Sequence, residues 1–264
     1  MIEWPQFLEN GLPAACTSMT IGVFDGVHRG HQALIERVVS HNEGNMPVVI
    51  TFRQNHKGEK YAGNIQTFRQ KTAMFERLGL KITIVVNFTE SFRHMTGIEF
   101  LELLLKHGKI GFFAVGANFR CGYGLDTDAA AIQRFFTSRD IPVEIVPEVM
   151  EDSQPISSSR IRSAIVSGNL LRAQAMLGHP YTLDLMGLPE SVLPPPGEYQ
   201  VILHEKLPDR RSRGTKAAIL IEKETVRILR TFDAEPFTDS HWEFAEFTTD
   251  STIGSGHITE NKLK

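Results

Sequence analysis

Residues 17–31 read Thr-Ser-Met-Thr-Ile-Gly-Val-Phe-Asp-Gly-Val-His-Arg-Gly-His, and this stretch decides the fold. Its first part is rich in β-branched and apolar residues, and its centre is rich in glycine. Residues 33–39 continue with the amphipathic pattern Ala-Leu-Ile-Glu-Arg-Val-Val. This order predicts a strand, a tight turn and the start of a helix. A helix start offers unpaired backbone N–H groups and a partial positive charge, which suits a bound phosphate.

The turn carries two histidines three residues apart, His28 and His31. Such a pair shares one side of a helix, so both rings can donate N–H bonds to one ligand. Gly22, Gly26 and Gly30 let the backbone approach that ligand closely. The pattern is neither the dinucleotide motif G-x-G-x-x-G nor a phosphate loop ending in Gly-Lys-Ser/Thr. An ordinary surface turn with idle histidines is the alternative interpretation.

Composition and cysteine content exclude several classes of protein. Cys16 and Cys121 are far apart and form no C-x-x-C pair, so a zinc site lacks clustered ligands. Unpaired cysteines are typical of a reducing compartment, and we expect a cytoplasmic protein. The first residues show no secretory signal, and no apolar run reaches membrane-spanning length. A formal net charge of −3 argues against nucleic-acid binding by bulk electrostatics.

Apolar runs of strand length alternate with helical patterns through about residue 180. The predicted strands are Thr17–Phe24, Pro47–Phe52, Ile82–Asn87, Phe112–Gly116 and Val143–Val146. The predicted helices are His31–Ser40, Phe68–Leu78, Ile98–Lys106, Ala129–Arg139, Arg160–Val166 and Leu170–Leu177, and Thr96 with Glu99 forms a capping box. Continuous apolar strands indicate burial on both faces, so the alternation predicts a doubly wound parallel α/β domain. Ligands of such folds bind beyond the carboxyl ends of the strands, where the histidine turn lies.

Residues 156–162, Ile-Ser-Ser-Ser-Arg-Ile-Arg, form a second candidate phosphate site where a loop becomes a helix. Serine hydroxyls at a helix start can cap backbone N–H groups, and they can equally hold phosphate oxygens. The two arginines add fixed positive charge with fork geometry. A serine cap before basic residues is also common as a purely structural feature. The candidate residues are Ser157, Ser158, Ser159, Arg160 and Arg162.

Two further loops offer polar donors at predicted strand ends. Asn118 lies in the glycine-rich loop of residues 115–124, after the fourth strand. Thr51, Phe52 and Asn55 lie where the chain leaves the second strand. Either loop is equally compatible with an ordinary turn.

The composition changes near residue 182. Residues 188–197, Leu-Pro-Glu-Ser-Val-Leu-Pro-Pro-Pro-Gly, predict a stiff connector. Strand patterns follow at Tyr199–His204, Ala217–Ile221, Val226–Leu229 and Trp242–Phe247, and a polar tail begins at Ser251. We therefore expect one domain over residues 1–182 and a small β-rich domain over residues 183–264.

Together, these motifs resemble the FMN adenylyltransferase module of the bacterial bifunctional riboflavin kinase/FAD synthetases, within the nucleotidyltransferase superfamily. Residues 22–31 resemble the family's G-x-F-D-G-x-H-x-G-H. Residues 156–162 resemble its I-S-S-T-R-I-R, with Ser159 in place of threonine. Residues 116–119 resemble its G-x-D/N-F loop, and residues 177–181 resemble L-G-R-P-Y with His179 in place of arginine.

The resemblance implies a Rossmann-like sheet and the transfer of AMP from MgATP to FMN, which yields FAD and pyrophosphate. It implies that Mg²⁺ is held chiefly by the triphosphate, so no protein metal ligand is expected. The implied catalytic residues are His28, His31, Asn118 and Arg160. The implied ATP- and phosphate-binding residues are Gly22, Phe24, Asp25, Gly26, Gly30, Ser157, Ser158, Ser159 and Arg162, and the implied flavin-side residues are Thr51, Phe52 and Asn55. Two alternatives stay open: a nucleotidyltransferase for another small phosphate, and a non-catalytic flavin-nucleotide-binding protein.

Besides the two single replacements at residues 159 and 179, the chain departs from the family pattern in two longer segments. Gln54, Asn55 and His56 replace Pro-His-Pro in the family's T-F-x-P-H-P loop, which alters the expected flavin contacts. After Tyr181 the chain lacks the Gly-Arg pair and the Pro-Thr-Ala-Asn segment of a riboflavin kinase. The run Pro194-Pro195-Pro196 cannot cradle phosphate, because proline has no backbone N–H. We therefore expect FAD synthesis without riboflavin kinase activity, and a C-terminal domain that resembles a reduced kinase barrel.

Overall fold

The computed structural model describes residues 1–41, 44–53, 63–208, 212–223, 225–232 and 242–252, and these form two compact units. The first unit comprises the described residues within Met1–Ala62 and Phe68–Ser158. The second comprises those within Gly63–Thr67 and Ser159–Lys264. In the described part of the chain, every helix is too short or too polar to cross a membrane.

The first unit is built around an all-parallel sheet. In chain order, the strands of this unit are β1 (Ile2–Glu3), β2 (Thr17–Ile21), β3 (Met46–Phe52), β4 (Ile82–Val86), β5 (Ile110–Gly116), β6 (Arg120–Cys121), β7 (Thr127–Asp128), β8 (Val143–Val146), β9 (Met150–Glu151) and β10 (Gln154–Pro155). Six of these strands pair in the order β1-β4-β3-β2-β5-β8, and every pairing in that sheet is parallel. The strands β6 with β7 and β9 with β10 form short antiparallel pairs.

Eight α-helices are found in the described residues. They are α1 (Trp4–Asn10), α2 (Arg29–Ser40), α3 (Phe68–Arg77), α4 (Glu90–Arg93), α5 (Gly97–Gly108), α6 (Ala129–Thr137), α7 (Ser158–Val166) and α8 (Leu170–Leu177). The capping box is confirmed: the Thr96 hydroxyl accepts from the N–H of Glu99, whose carboxylate accepts from the N–H of Thr96. The sequence patterns did not predict β1, α1 or α4.

Helices cover the sheet on both faces, as two separate clusters of buried side chains show. One cluster joins α1, α5 and α6 to alternate sheet residues such as Val48, Ile50 and Phe113. The other cluster joins α2 and α3 to the intervening sheet residues, such as Val49 and Phe112. Neighbouring residues of one strand therefore face different helix layers, as a buried parallel sheet requires. The predicted doubly wound α/β fold is confirmed.

The strand order reverses direction at β2. The next two strands in sequence, β3 and β4, lie on one side of β2, and the later strands β5 and β8 lie on its other side. The carboxyl ends of β2 and β5 are therefore neighbours from which the chain leaves in opposite directions. Such a switch point opens a crevice, where open α/β sheets bind their ligands.

The second unit contains a five-stranded antiparallel sheet after α8. Its strands are β11 (Thr182–Asp184), β12 (Gly197–His204), β13 (Thr215–Glu222), β14 (Thr225–Thr231) and β15 (Phe244–Thr252), in the order β11-β15-β12-β13-β14. The inward side chains of Val201, Leu203, Ile219 and Phe247 are buried. The predicted β-rich C-terminal region is confirmed, although β15 reaches into the expected polar tail. Residues 253–264 of that tail lie outside the described residues.

Residues 63–67 belong to the second unit although helices of the first unit precede and follow them in sequence. The N–H of Asn64 donates to the Glu190 carbonyl at 2.6 Å, and the N–H of Val192 donates to the Asn64 carbonyl at 3.0 Å. The Thr67 hydroxyl donates to the carboxylate of Asp184 at 2.6 Å. The segment is therefore bound to the region around β11 by both backbone and side-chain bonds.

Removal of the Asp184 carboxylate should destabilise the second unit. This buried group also accepts from the N–H groups of Met186 and Gly187, at 3.0 and 3.1 Å. Asp184→Ala removes this carboxylate from the N–H groups of Met186 and Gly187 and from the Thr67 hydroxyl, and should lower the unfolding free energy by about 3 kcal/mol. Denaturant unfolding checks this, with Glu205→Ala as the control because Glu205 is exposed. Equal stability of the two variants would contradict the role assigned to Asp184.

Candidate active site

The turn after β2 is strained, and its centre is buried. The last hydrogen bond from this segment to β3 is donated by the N–H of Gly22 to the Ile50 carbonyl, at 3.1 Å. Phe24 and Val27 then adopt positive φ angles of 55° and 36°, and Gly26 has a φ of 84°. Positive φ is unfavourable for residues other than glycine, above all for β-branched ones. The side chains of Phe24 and Val27 are buried, so packing holds the turn in this conformation.

The first histidine of the turn caps helix α2. Nδ1 of His28 accepts a hydrogen bond from the N–H of His31 at 3.4 Å. This bond favours the neutral tautomer in which Nε2 carries the proton and can donate to a ligand. A Cβ at Gly30 would lie 3.2 Å from the His28 ring, so glycine permits the close packing of this ring.

The second histidine stacks on the first, and both rings are neutral. The ring centroids of His28 and His31 lie 3.6 Å apart with an angle of 18° between the planes. Burial lowers the pKa of His28 from 6.5 to about 4. Burial, followed by the charges of His28 and Lys71, holds the pKa of His31 well below 6.5. At neutral pH the pair therefore offers uncharged N–H donors beside the positive end of α2.

His31 also has an unused polar atom. Its Nδ1 is buried and has no hydrogen-bond partner among the described residues. The ring also meets the Phe24 ring edge-on, with centroids 5.2 Å apart. A buried polar atom without a partner is costly, which is consistent with a site that is completed by a ligand.

The serine–arginine segment begins next to the histidine turn. The hydroxyl of Ser158, the first residue of α7, donates to the Asp25 carbonyl at 2.9 Å. Ser157 precedes it, at the position where a cap is expected. Within the first unit, the sequence motifs at residues 22–31 and 156–158 thus meet directly.

The two arginines of this segment have different environments in the second unit. Arg160 is half-buried. Arg162 is buried, and its Nε donates to the Gly63 carbonyl at 3.0 Å. Ser159, which directly precedes Arg160, is exposed. Arg162 therefore supports the segment of residues 63–67, a contact that the sequence did not suggest.

Asn118 lies in the loop after β5, at the switch point. Its side chain is exposed, and its amide nitrogen donates to the carboxylate of Glu148. At the same edge, Arg29 of α2 pairs with Glu151 of β9 at 2.5 Å. The segment of residues 147–151, which follows β8, thus borders both the asparagine and the start of α2.

The flavin-side candidates have internal contacts. Thr51 is buried, and its hydroxyl donates to the Val23 carbonyl at 3.3 Å. Phe52 is buried and stacks on the half-buried Phe88, with ring centroids 4.7 Å apart. Asn55 lies outside the described residues, together with residues 54 and 56.

The sequence patterns missed Lys71, a residue of α3 that reaches the histidine turn. It is buried, and its ammonium donates to the carbonyl oxygens of Val23 and Phe52 at 3.1 and 2.9 Å, and to the Thr51 hydroxyl at 3.2 Å. The signal was present: Lys71 lies one helical turn before the buried Phe75, on the apolar face of the helix.

The low pKa of His28 makes stability depend on pH. Below its ordinary pKa of 6.5 the unfolded chain binds a proton that the folded chain takes up only near pH 4. The histidine's contribution is thus complete above pH 6.5 and is lost as the pH falls towards 4, by about 2 kcal/mol between pH 7 and pH 5. His28→Asn retains a cap acceptor but cannot titrate, so denaturant unfolding should show a smaller loss. Replacement of the exposed His94 by Asn is the control, and an unchanged loss in His28→Asn would contradict the assignment.

Comparison with known proteins identifies the family of this chain. The family model described as FAD synthetase matches residues 13–160, which include the motif of residues 22–31 and the first five residues of the motif of residues 156–162. A "Bifunctional riboflavin kinase/FMN adenylyltransferase" of Escherichia coli strain K12 is 31% identical over 173 residues, which cover 63% of this chain and 55% of that protein. The chain therefore spans only about half the length of such bifunctional relatives.

A shorter relative is covered more fully. An "FAD synthetase" of Listeria monocytogenes is 30% identical over 195 residues, which cover 69% of this chain and 79% of that protein. A crystal structure described as a macrolide-efflux protein from Streptococcus pneumoniae has a TM-score of 0.73 and 21% identity, with 93% of this chain and 89% of that chain covered. At that identity the likeness supports the fold alone. The family match and the Listeria relative show that this chain belongs to the FAD synthetase family.

Proposed function

We propose that the protein is an FMN adenylyltransferase, which forms FAD and pyrophosphate from FMN and MgATP. The observation that carries the proposal is the pair of neutral histidines, His28 and His31, at the start of α2 and at the switch point of the sheet. Their N–H groups and the N-terminus of the helix offer donors without a charge that must be desolvated. Family membership and the meeting of the two phosphate motifs at Ser158 support the same reaction.

In the proposed reaction a phosphate oxygen of FMN attacks the α-phosphorus of ATP in line. The bond from that phosphorus to the oxygen that bridges to the β-phosphate breaks, and pyrophosphate leaves with the electron pair. No covalent enzyme intermediate is needed, so the protein contributes positioning and stabilisation of the developing negative charge. Donors aimed at the phosphoryl oxygens suit this task, because they need no reorganisation during the reaction.

Each candidate residue has a proposed part in that reaction. His28 and His31 donate to the ATP phosphates, and Asn118 faces the phosphate of the nucleotide or of FMN. The leaving pyrophosphate is held by Ser158, Ser159 and Arg160, with Arg162 as a supporting residue. The turn that shapes the adenosine side consists of Gly22, Phe24, Asp25, Gly26 and Gly30, and Ser157 caps the second motif. On the flavin side we propose Thr51, Phe52 and Asn55.

Magnesium enters this proposal as part of the MgATP substrate. The described residues hold no group of three or more His, Cys, Asp or Glu side chains suited to a metal ion. Mg²⁺ is usually bound by substrate phosphates with few protein ligands, and when bound it neutralises phosphate charge. The triphosphate is therefore its main ligand in this proposal.

We further propose that residues 1–182 form the transferase domain and that residues 183–264 form a small β domain without riboflavin kinase activity. The sequence between Tyr181 and Tyr199 has no Gly-Arg pair for a second nucleotide site. The Tyr199 hydroxyl donates to the Pro195 carbonyl at 2.7 Å, so the proline run supports β12. A cytoplasmic location without nucleic-acid or membrane partners stays a prediction from the sequence.

The test is mass spectrometry of the products formed with MgATP. FMN should yield FAD and pyrophosphate, whereas riboflavin should yield neither FMN nor FAD. His31→Ala should lower turnover about 10²- to 10³-fold, the loss typical of one removed donor in a transition state. His94→Ala, at an exposed histidine, should retain wild-type turnover.

The outcomes separate the alternatives. Transfer to another phosphate in place of FMN would indicate a different nucleotidyltransferase. Tight FAD binding without turnover would indicate a non-catalytic flavin-nucleotide-binding protein. FMN formation from riboflavin at a rate comparable to adenylyl transfer would refute the proposed absence of kinase activity.

Arg160 and Arg162 provide a matched pair of substitutions. Arg160→Lys keeps the charge but loses the fork, so turnover should fall about 10- to 100-fold with little change in Tm. Arg162→Lys removes the Nε donor to Gly63, so Tm should fall more than in Arg160→Lys. Steady-state kinetics and thermal unfolding of both variants check this. Wild-type turnover of Arg160→Lys would make Arg160 an ordinary helix residue.

A further inference from the structure

We propose that Lys71 is a positioning residue for the histidine turn: its buried ammonium holds the backbone that carries His28 and His31 in the geometry that the transfer requires. This role rests on the proposed adenylyl transfer but can be tested apart from it. Lys71 lies in α3, outside every motif that the sequence analysis singled out.

The contacts of Lys71 connect two neighbouring strands where their pairing ends. The ladder between β2 and β3 extends to the pair Ile21–Ile50, and the N–H of Gly22 then makes the last bond to β3. Beyond it, the ammonium joins the Val23 carbonyl to the Phe52 carbonyl, so it replaces the missing sheet bond.

All three N–H groups of the Lys71 ammonium are engaged by these contacts. Its three protons meet three oxygen acceptors, two of them carbonyls and the third the Thr51 hydroxyl. That hydroxyl in turn donates to the Val23 carbonyl, so one carbonyl of the turn is held from two directions. A saturated ammonium does not donate to a substrate, which makes Lys71 a supporting group rather than a catalytic residue.

Helix α3 holds the turn by a second contact on the same face. Phe75, four residues after Lys71, is buried against Phe24 with ring centroids 5.4 Å apart, edge to face. Phe24 is one of the two positive-φ residues of the turn other than glycine, and its ring also touches His31. A strained conformation persists only where its surroundings over-determine it. Polar support from Lys71 and apolar support from Phe75 together provide that restraint.

The charge of Lys71 also acts on the site. The titratable side chains of residues 22–31 are Asp25, His28, Arg29 and His31. Burial lowers the pKa of Lys71 from 10.5 to about 8, and the charge of Asp25 offsets part of this lowering. The positive charge of Lys71 in turn lowers the pKa of His31. A cation at this position therefore favours the neutral, donor form of His31 at physiological pH.

The test compares Lys71→Met, which keeps the aliphatic stem, with Lys81→Met at an exposed position of the same unit. Lys71→Met should lower kcat for adenylyl transfer from MgATP to FMN about 10²-fold, the cost of a small misplacement of catalytic groups. The KM for ATP should change far less, because the loss concerns the transition state. NMR titration should show the His31 ring protonating at higher pH than in the wild type. Lys81→Met should match the wild type in all three measurements.

Two further variants separate the charge of Lys71 from its hydrogen bonds. Lys71→Arg retains the charge and should restore the low pKa of His31 and part of kcat. Lys71→Gln loses the charge but retains N–H donors, and it replaces the methionine variant if that protein does not fold. A folded Lys71→Met or Lys71→Gln with wild-type kcat and an unshifted His31 would overturn the proposal. If the wild type itself transfers no AMP, the proposed function fails, while the NMR comparison still decides whether Lys71 controls His31.

Discussion

The parallel pairing of β2 with β3 on one side and β5 on the other is the constraint on which the candidate site depends. Both ladders end within a few residues, at Ile21–Ile50 and at Thr20–Ala114, so the chain must leave the sheet at Gly22. It enters α2 within seven residues, and this short path requires the positive φ angles of the turn. The direction of α2, and with it the direction of both histidine rings, follows from where the sheet stops.

Most of the first unit could be predicted because its signals are local. The Thr96–Glu99 capping box marks the start of α5 within four residues of sequence. The end of β2 was predicted three residues too late, since apolar character continues to Phe24 while its backbone leaves the extended region. Helix α1 is only seven residues long and buries just Trp4 and Phe7, too few positions for a helical period to emerge.

The candidate site was predictable only in part, for the same reason. The histidine turn is contiguous in sequence, so its chemistry is visible in about ten residues. Lys71 meets acceptors that lie 20 and 48 residues away, and helical periodicity can only mark it as a lysine on an apolar face. Arg160 and Arg162 are the same residue type in one short motif, so the sequence alone does not distinguish their roles. Their separation of about 200° around a helix gives them different surroundings, which tertiary structure alone reveals.

The second unit is discontinuous, and this has a consequence for dissecting the protein. A polypeptide truncated after residue 182 would keep Thr67 and Asn64 but lose the Asp184 carboxylate and the Glu190 carbonyl that accept from them. One cut therefore removes two hydrogen-bond acceptors from the upstream fragment, at the segment between β3 and α3. Division of the polypeptide at residue 182 would therefore also remove contacts of the segment of residues 63–67. Modular exchange of the C-terminal region would need a compensating change near residue 65.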